Sequence, residues 1–247
     1  MKLMLMADHH VGLAITRWLL RKYRADMALV VTTSENEIFS LVKDVGAACL
    51  VFTSAEQVCA HIRSLDLELD IGVLAWWPKL INQPLLATPK YGFINTHPSL
   101  LPHNRGKHSN FWALVEQVPF GVSLHVVEDG VDNGDVVAQA SVPYSWEDNG
   151  ATLYAKACQG MVRLFKETYP IIRTLKIPRH KQQLAKGSFH FAKELEAASL
   201  INLERHYKAR DLFNVIRART FPGHPACWFT DAGSKYEVRV EINKKVL

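Results

Sequence analysis

The sequence has the size and composition of one large folded domain, or of one domain with a small appendage. Its 247 residues are 48% hydrophobic and 21% charged, and this balance excludes disordered, collagenous and coiled-coil chains. No run approaches the roughly 18 apolar residues that a membrane span needs. The short apolar start before Asp8 is expected to be a buried strand and not a signal peptide.

Four cysteines are scattered along the chain without CxxC spacing. This pattern predicts neither a disulfide framework nor a zinc site, and we expect no bound metal. Because unpaired cysteines are typical of a reducing compartment, the expected location is the cytoplasm.

The net charge of +5 is unevenly distributed, with −3 in residues 1–172 and +8 in residues 173–247. A basic C-terminal third indicates an anionic partner, such as nucleic acid or a phosphorylated small molecule. The alternative is a solvated positive surface without a specific partner.

The first two-thirds of the chain alternate short apolar runs with longer amphipathic segments. In chain order, we predict strands at 2–6, 28–32, 48–52, 71–75 and 91–95, with helices at 12–23, 35–43 and 56–64. An antiparallel pair at 120–127 and 135–142 follows, joined by a turn at 129–134, and then a helix at 151–169. Strands that alternate with helices predict an α/β fold with a mainly parallel sheet flanked by helices.

The composition changes after residue 177, where the polar connector KIPRHKQQLAKGSFH (residues 176–190) leads into the last part of the chain. There we predict a helix at 209–219, ended by the Phe-Pro-Gly sequence at 221–223. Two β-rich runs at 226–230 and 235–242 predict a hairpin with its turn at 231–234. We therefore expect a first domain at 1–177 and a C-terminal extension of helix and hairpin at 178–247.

The sequence lacks a GxGxxG after the first strand, a Walker loop and a GxSxG elbow. In open parallel sheets, reactive groups gather outside the carboxyl ends of the strands. The densest polar segment at such a position is NTHPSLLP, residues 95–102. Asn95 and His97 are two apart, so extended backbone projects them to the same side. An amide donor beside an imidazole suits a developing oxyanion and a proton in transit, although a capping Asn and a surface His remain the alternative.

A second polar segment, residues 128–135, lies between the two antiparallel strands and combines acidic residues with two glycines. It is either a solvated hairpin turn or a loop that holds a carboxylate near His97, with glycines that allow the backbone to approach a ligand. Calcium binding is a further possibility, but the spacing is not that of an EF-hand.

NTHPSLLP followed by RG, and then VDNGD with Gln139 downstream, resembles the 10-formyltetrahydrofolate-dependent formyltransferases. The resemblance implies the formyltransferase fold, 10-formyltetrahydrofolate as the formyl donor, and Asn95, His97 and Asp132 as catalytic residues. Asn95 and His97 would donate hydrogen bonds to the charged oxygen, and Asp132 would hold His97 or a water. Asp129 and Asp135 are the neighbours most easily confused with Asp132.

Within that family the chain is most similar to the sugar N-formyltransferases, through LAWWPKLI, NRGKHSNFW, PFGVSLHVVEDGVDNGD, RARTFPGHPACWF and KYEVRVEI. This similarity implies formyl transfer to the amine of a nucleotide-linked amino sugar, with a dTDP-3- or 4-amino-dideoxyhexose as the leading candidate. The product would serve O-antigen or other surface glycan synthesis.

The resemblance also implies contacts and an assembly. The expected folate contacts are Trp77, Lys79, Ile81, Asp129 and Gly130. The expected contacts of the sugar nucleotide are His9, His10, Asn104, Arg105, Gly106 and Lys107. Arg217 and Arg219 are further candidates for contact with an anionic ligand, and a homodimer is expected through the C-terminal hairpin, without nucleic acid as a partner.

Rival functions share part of this pattern. A methionyl-tRNA formyltransferase would share Asn95, His97 and Asp132 and would explain the basic tail, but its tail is longer and barrel-like. The glycinamide ribonucleotide enzyme lacks such a tail, and the formyltetrahydrofolate hydrolases carry an additional N-terminal domain. The remaining class is a non-catalytic binder of folate or nucleic acid. A folate-binding relic is disfavoured by the intact Asn95, His97 and Asp132. A nucleic-acid binder is disfavoured because the tail has no recognisable nucleic-acid motif.

Overall fold

A seven-stranded sheet forms the centre of the computed structural model, which describes residues 1–245. In chain order the strands are β1 Leu3–Ala7, β2 Met27–Thr32, β3 Cys49–Val51, β4 Ile71–Ala75, β5 Phe93–His97, β6 Arg105–Gly106, β7 Gly121–Val126, β8 Val136–Ser141, β9 Phe189–His190, β10 Cys227–Asp231 and β11 Ser234–Val238. The helices are α1 His9–Lys22, α2 Glu37–Asp44, α3 Ala55–Ser64, α4 Ser109–Glu116, α5 Gly150–Ile172, α6 Glu194–Ala198 and α7 Ala209–Arg219.

The large sheet has the strand order β3-β2-β1-β4-β5-β7-β8. The first five strands are mutually parallel, whereas β7 runs antiparallel to β5, and β8 runs antiparallel to β7. The order of the parallel strands reverses between β1 and β4. In sheets of this type, that reversal leaves a crevice at the carboxyl ends of the strands.

Strand β1 shows why both faces of the sheet are covered, since all five of its residues are buried. Leu3, Leu5 and Ala7 pack with α1 and α5 on one face, while Met4 and Met6 pack with α3 on the other. Consecutive side chains of a strand point to opposite faces, so a continuous apolar run is the sequence of a strand covered on both sides.

Local capping explains why most helix starts could be predicted. The side chains of Asp8, Asn36 and Ser54 accept backbone N–H bonds at the starts of α1, α2 and α3. Asn149 and Thr152 form a capping box at the start of α5. Such caps satisfy donors that the first helical turn leaves unpaired.

Helix α4 was not among the predicted elements. Its cap residue, His108, has a left-handed backbone (φ +60°) and makes no side-chain capping bond, so the sequence carries no local start signal. The helix exists because Phe111, Ala113 and Leu114 are buried in the main core. The sequence analysis also missed α6 and the two-residue strands β6 and β9. Several limits differ from the predictions: α1 starts at His9, before the expected residue 12, β5 extends to His97, and β11 ends at Val238, before the expected residue 242.

Helix α7 covers the predicted range, but Arg217 within it is not available to a ligand. This side chain is 4% exposed, and its guanidinium donates to the carbonyl oxygens of Ser145 (2.6 Å) and Asp148 (2.9 Å). Arg219 faces Glu196 at 3.7 Å. The expectation that Arg217 contacts an anion is therefore corrected: it joins the C-terminal extension to the loop before α5.

No helix within residues 1–245 has the length and apolarity to cross a membrane. The four cysteines carry free thiols, and Cys59, Cys158 and Cys227 are buried.

We expect Arg217→Met to lower the free energy of unfolding by about 3 kcal/mol, or Tm by roughly 6–12 °C, because the Ser145 and Asp148 carbonyl oxygens lose a buried charged donor. Arg210→Met is the matched control. Arg210 is also on α7, and its guanidinium also lies over the Trp146 ring, 5.0 Å from the ring centroid against 4.7 Å for Arg217. Unlike Arg217, Arg210 is exposed. Thermal unfolding followed by circular dichroism measures both. Equal melting temperatures for the two variants would contradict the structural role of Arg217.

Candidate active site

A cavity of about 850 Å³ opens beside the carboxyl ends of β4 and β5, a size typical of small-molecule sites. Its walls come from the turn after β4, the end of β5, the loop after β7, the start of α4 and Tyr154 of α5. The polar groups on these walls include Asn95, His97, His125 and Asp132.

Strand β5 presents Asn95 and His97 on the same face, as the alternation of side chains requires. The Asn95 amide nitrogen lies 3.4 Å from Oδ1 of Asp132, and Nδ1 of His97 lies 3.4 Å from Oδ2 of the same carboxylate. The opposite ring nitrogen of His97, Nε2, faces the carbonyl oxygen of Asn104 at 3.3 Å. The three residues that the sequence pattern singled out thus meet at one carboxylate.

The Asp132 carboxylate is surrounded by nitrogen atoms. Besides Asn95 and His97, it accepts the Gly106 backbone N–H at 3.0 Å and lies 3.3 Å from Nε2 of His125. The acidic loop brings Asp132 into this position with a left-handed backbone (φ +51°), a conformation that is uncommon for a residue with a side chain.

The surroundings of Asp132 and His97 determine the protonation state of each side chain. Burial alone would raise the pKa of the Asp132 carboxyl, but the neighbouring His97 and His125 rings and the Gly106 N–H together hold that pKa well below its usual range. Burial lowers the pKa of His97, and the Asp132 charge opposes this only in part. Near neutral pH, the free protein therefore holds an ionised carboxylate beside a neutral imidazole.

His125 is a site residue that the sequence analysis missed. It lies directly opposite Asn95 in the antiparallel ladder between β5 and β7. Its Nδ1 lies 2.9 Å from the Val126 carbonyl oxygen, and its Nε2 lies 3.2 Å from the Asn95 amide nitrogen. Only the register between two distant segments brings His125 here, and no local pattern carries that register.

The five candidate folate contacts, Trp77, Lys79, Ile81, Asp129 and Gly130, all line the cavity. Two large apolar side chains, Leu80 on the turn after β4 and Val131 on the acidic loop, are 85% and 41% exposed at its rim. The apolar wall therefore lies on the side of the cavity between these two loops.

The candidate contacts of the sugar nucleotide divide into two groups. His9, Gly106 and Lys107 line the cavity, whereas His10, Asn104 and Arg105 are absent from its described walls.

Each residue of the second group is engaged elsewhere. Asn104 is 1% exposed, and its amide donates to Glu116 at 2.7 Å. The Arg105 guanidinium lies over the Phe189 ring, 5.8 Å from its centroid. His10 meets the edge of the Tyr154 ring at 6.1 Å between centroids.

Solved structures with the same fold include three bacterial enzymes. A 4-N formyltransferase from Francisella tularensis is 21% identical, with 99% of this chain and 98% of that chain covered and a TM-score of 0.81. A sugar N-formyltransferase from Shewanella sp. is 20% identical, with 100% and 99% covered and a TM-score of 0.79. An N-formyltransferase from Helicobacter canadensis, solved with folinic acid and dTDP-3-aminofucose, is 18% identical, with 95% and 86% covered and a TM-score of 0.72. These likenesses confirm the predicted fold.

Two family models match the sequence itself. The model described as an N-formyltransferase dimerization C-terminal domain matches residues 194–244. The model described as formyl transferase matches residues 19–167, which include Asn95, His97 and Asp132 and make up more than half of the sequence. The chain belongs to the formyl transferase family.

Proposed function

We propose that this protein transfers a formyl group from 10-formyltetrahydrofolate to the amine of a nucleotide-linked amino sugar. The observation that carries the proposal is the convergence of Asn95, His97 and Asp132 on one wall of the cavity, within a chain of the formyl transferase family. The enzymes from Francisella, Shewanella and Helicobacter, which share the fold over nearly the whole chain, support this choice of acceptor and donor.

The cavity suits a flat, largely aromatic donor. Leu80 and Val131 leave apolar surface exposed at its rim, and the Trp77 indole forms part of its wall. Exposed apolar surface beside convergent polar groups is typical of a ligand site. We propose that Trp77, Lys79, Ile81, Asp129 and Gly130 hold the folate.

When bound, 10-formyltetrahydrofolate supplies a formyl carbon, to which the sugar amine nitrogen bonds as the bond to folate N10 breaks and an amine proton passes to N10. Asn95 donates from its amide to the formyl oxygen as negative charge builds there, and His97 donates to the same oxygen once it is protonated. Donors already in place need not reorganise at that moment, and removal of one typically costs about 100- to 1000-fold in rate.

His97 is also the group that carries the proton. Because the ionised Asp132 carboxylate is a stronger acceptor than the Asn104 carbonyl, the neutral ring carries its hydrogen at Nδ1 and presents its lone pair at Nε2. A proton taken up at Nε2 forms an imidazolium that the Asp132 carboxylate stabilises. The low pKa of Asp132 keeps it ionised throughout, so it orients His97 or a water and does not itself carry the proton.

The C-terminal extension supports a sugar acceptor over a tRNA acceptor. Residues 194–244 match the N-formyltransferase dimerization model, and the extension ends in a two-stranded hairpin of β10 and β11. We propose a domain limit after residue 177, supported by the end of α5 at Ile172 as the last helix that covers the sheet.

We further propose a homodimer formed through the C-terminal hairpin. Large apolar side chains are exposed on the extension, with Tyr236 of β11 at 47%, Phe213 of α7 at 46% and Leu203 between α6 and α7 at 52%. A cytoplasmic location, a dTDP-linked acceptor and a role in O-antigen or other surface glycan synthesis are part of the same proposal, which the resemblance to the sugar enzymes supports.

His97→Ala and Asp132→Ala are expected to retain the fold and to lose about 100- to 1000-fold of turnover, because the oxyanion loses a donor or the proton carrier loses its partner. Mass spectrometry of a panel of amino-sugar nucleotides, incubated with the formyl donor, measures the gain of one formyl group. Asp135→Asn is the control, since Asp135 is a nearby acidic residue outside the cavity walls. Near wild-type turnover in either alanine variant would refute the assigned roles.

Lys107→Ala is expected to raise KM for the sugar nucleotide about 10-fold without a change in kcat, because one charged contact to a diphosphate is worth about 1.4 kcal/mol. Arg105→Ala is expected to raise this KM less, because the guanidinium lies outside the cavity walls, against Phe189. Initial-rate kinetics measure both, with Lys43→Ala on α2 as the control. An unchanged KM for Lys107→Ala would remove this residue from the substrate site.

The protein is expected to have twice the mass of one chain by light scattering, and Tyr236→Glu is expected to shift it towards the mass of one chain, because a charge in an apolar interface is costly. Tyr91→Glu, at a residue 38% exposed in the first domain, is the matched control. A wild-type protein that keeps the mass of one chain throughout a concentration series would contradict the dimer.

A further inference from the structure

The connector (residues 176–190) bridges the two loops that build the site, although the cavity walls described in residues 1–245 come from other segments. His180 pairs with Val136, the first residue of β8, through two backbone bonds of 2.9 and 2.8 Å. Further along, β9 pairs with β6, the Arg105–Gly106 strand of the loop that follows β5. One short segment thus contacts the acidic loop at one end and the loop with Gly106 at the other.

Gln182 makes the contact with the acidic loop. Its side-chain nitrogen donates to the carbonyl oxygens of Asp132 (2.9 Å) and Gly134 (2.7 Å). The orientation of the amide is determined by these neighbours, since only the NH₂ group is a donor for two carbonyl oxygens. The two bonds hold the backbone on both sides of Asn133, and so they stabilise the left-handed conformation of Asp132, which is unfavourable for a residue with a side chain.

The opposite end of the connector holds Gly106, whose N–H donates to the Asp132 carboxylate. A Cβ at Gly106 would lie 2.2 Å from the His190 carbonyl oxygen, so the approach of the two backbones requires a glycine here. The backbone N–H that completes the Asp132 site is therefore placed by the pairing of β6 with β9.

That end is itself fixed to α4 through Glu116. The Glu116 carboxylate receives the Ser188 hydroxyl (2.8 Å), Nε2 of His190 (2.6 Å) and the Asn104 amide (2.7 Å). The His190 ring also stacks on Trp112, 3.8 Å between centroids. With both ends fixed in this way, the connector sets the distance between the two loops.

We infer that the connector is a working part of the candidate active site, and that Gln182 is a positioning residue that places the Asp132 carboxylate against His97 and Gly106. Gln182 acts on the backbone of Asp132 and has no expected contact with either ligand. The effect on turnover rests on the proposed formyl transfer, whereas the effect on the position of Asp132 does not.

The kinetic test uses Gln182→Met, which keeps the length and volume of the side chain and removes both donors. We expect kcat to fall about 10- to 100-fold, because a displacement of about 1 Å at a reacting group has effects of this size. KM for donor and acceptor is expected to stay unchanged, a separation that a general loss of stability would not produce. Gln183→Met is the matched control, because Gln183 is the adjacent residue of the same type and is exposed.

The structural test compares crystal structures of the wild-type protein and of Gln182→Met. The Asp132 Oδ2 to Gly106 N distance, 3.0 Å here, is expected to lengthen in the variant. If Gln182→Met does not fold, as judged by circular dichroism, Gln182→Asn takes its place, because it stays polar and withdraws the donors by one methylene.

Three outcomes are decisive. A lower kcat with unchanged KM and a displaced carboxylate supports the inference, and an undisplaced Asp132 overturns it whatever the rates. If the wild-type protein formylates none of the sugar nucleotides, the proposed function fails, and the Asp132 Oδ2 to Gly106 N distance still decides whether Gln182 positions the carboxylate.

Discussion

The arrangement of the site depends on one largely buried carboxylate, that of Asp132, which is held among nitrogen atoms from three separate places in the chain. Asn95 and His97 come from β5, His125 from β7, and the Gly106 N–H from the loop after β5. A buried charge is tolerated only where it is paired and hydrogen-bonded. The carboxylate therefore acts as the point to which the other groups are oriented, and its ionisation is maintained by their number.

The sheet supplies these groups through two kinds of strand pairing. Parallel pairing of β4 with β5 forms the crevice at their carboxyl ends, next to the turn after β4. Antiparallel pairing of β5 with β7 then places His125 opposite Asn95. Because β7 runs antiparallel to β5, the loop that follows β7 carries Asp132 back over the face of β5, next to Asn95 and His97.

The C-terminal extension contributes to the arrangement of the site. Arg217 fixes α7 to the loop before α5, and the connector at the start of the extension contacts both loops that build the site. A chain shortened to the first predicted domain would lose Gln182 and β9 together, and with them the contacts that hold Asp132 and Gly106 at their present separation.

The sequence by itself determined the α/β class and most helix starts, because these depend on short-range signals, and its resemblance to a known family singled out Asn95, His97 and Asp132. Alternating apolar runs, capping side chains and a two-residue spacing on a strand can all be read within a few neighbouring residues. Only the tertiary structure decided the rest. It brought His125 and Gln182 to the site and formed α4 without a side-chain cap. It also buried Arg217 between α7 and the loop before α5. On the cavity wall it placed Lys107 but not Arg105. Each of these outcomes depends on strand register or on packing between segments far apart in the chain, and no local pattern encodes such pairings.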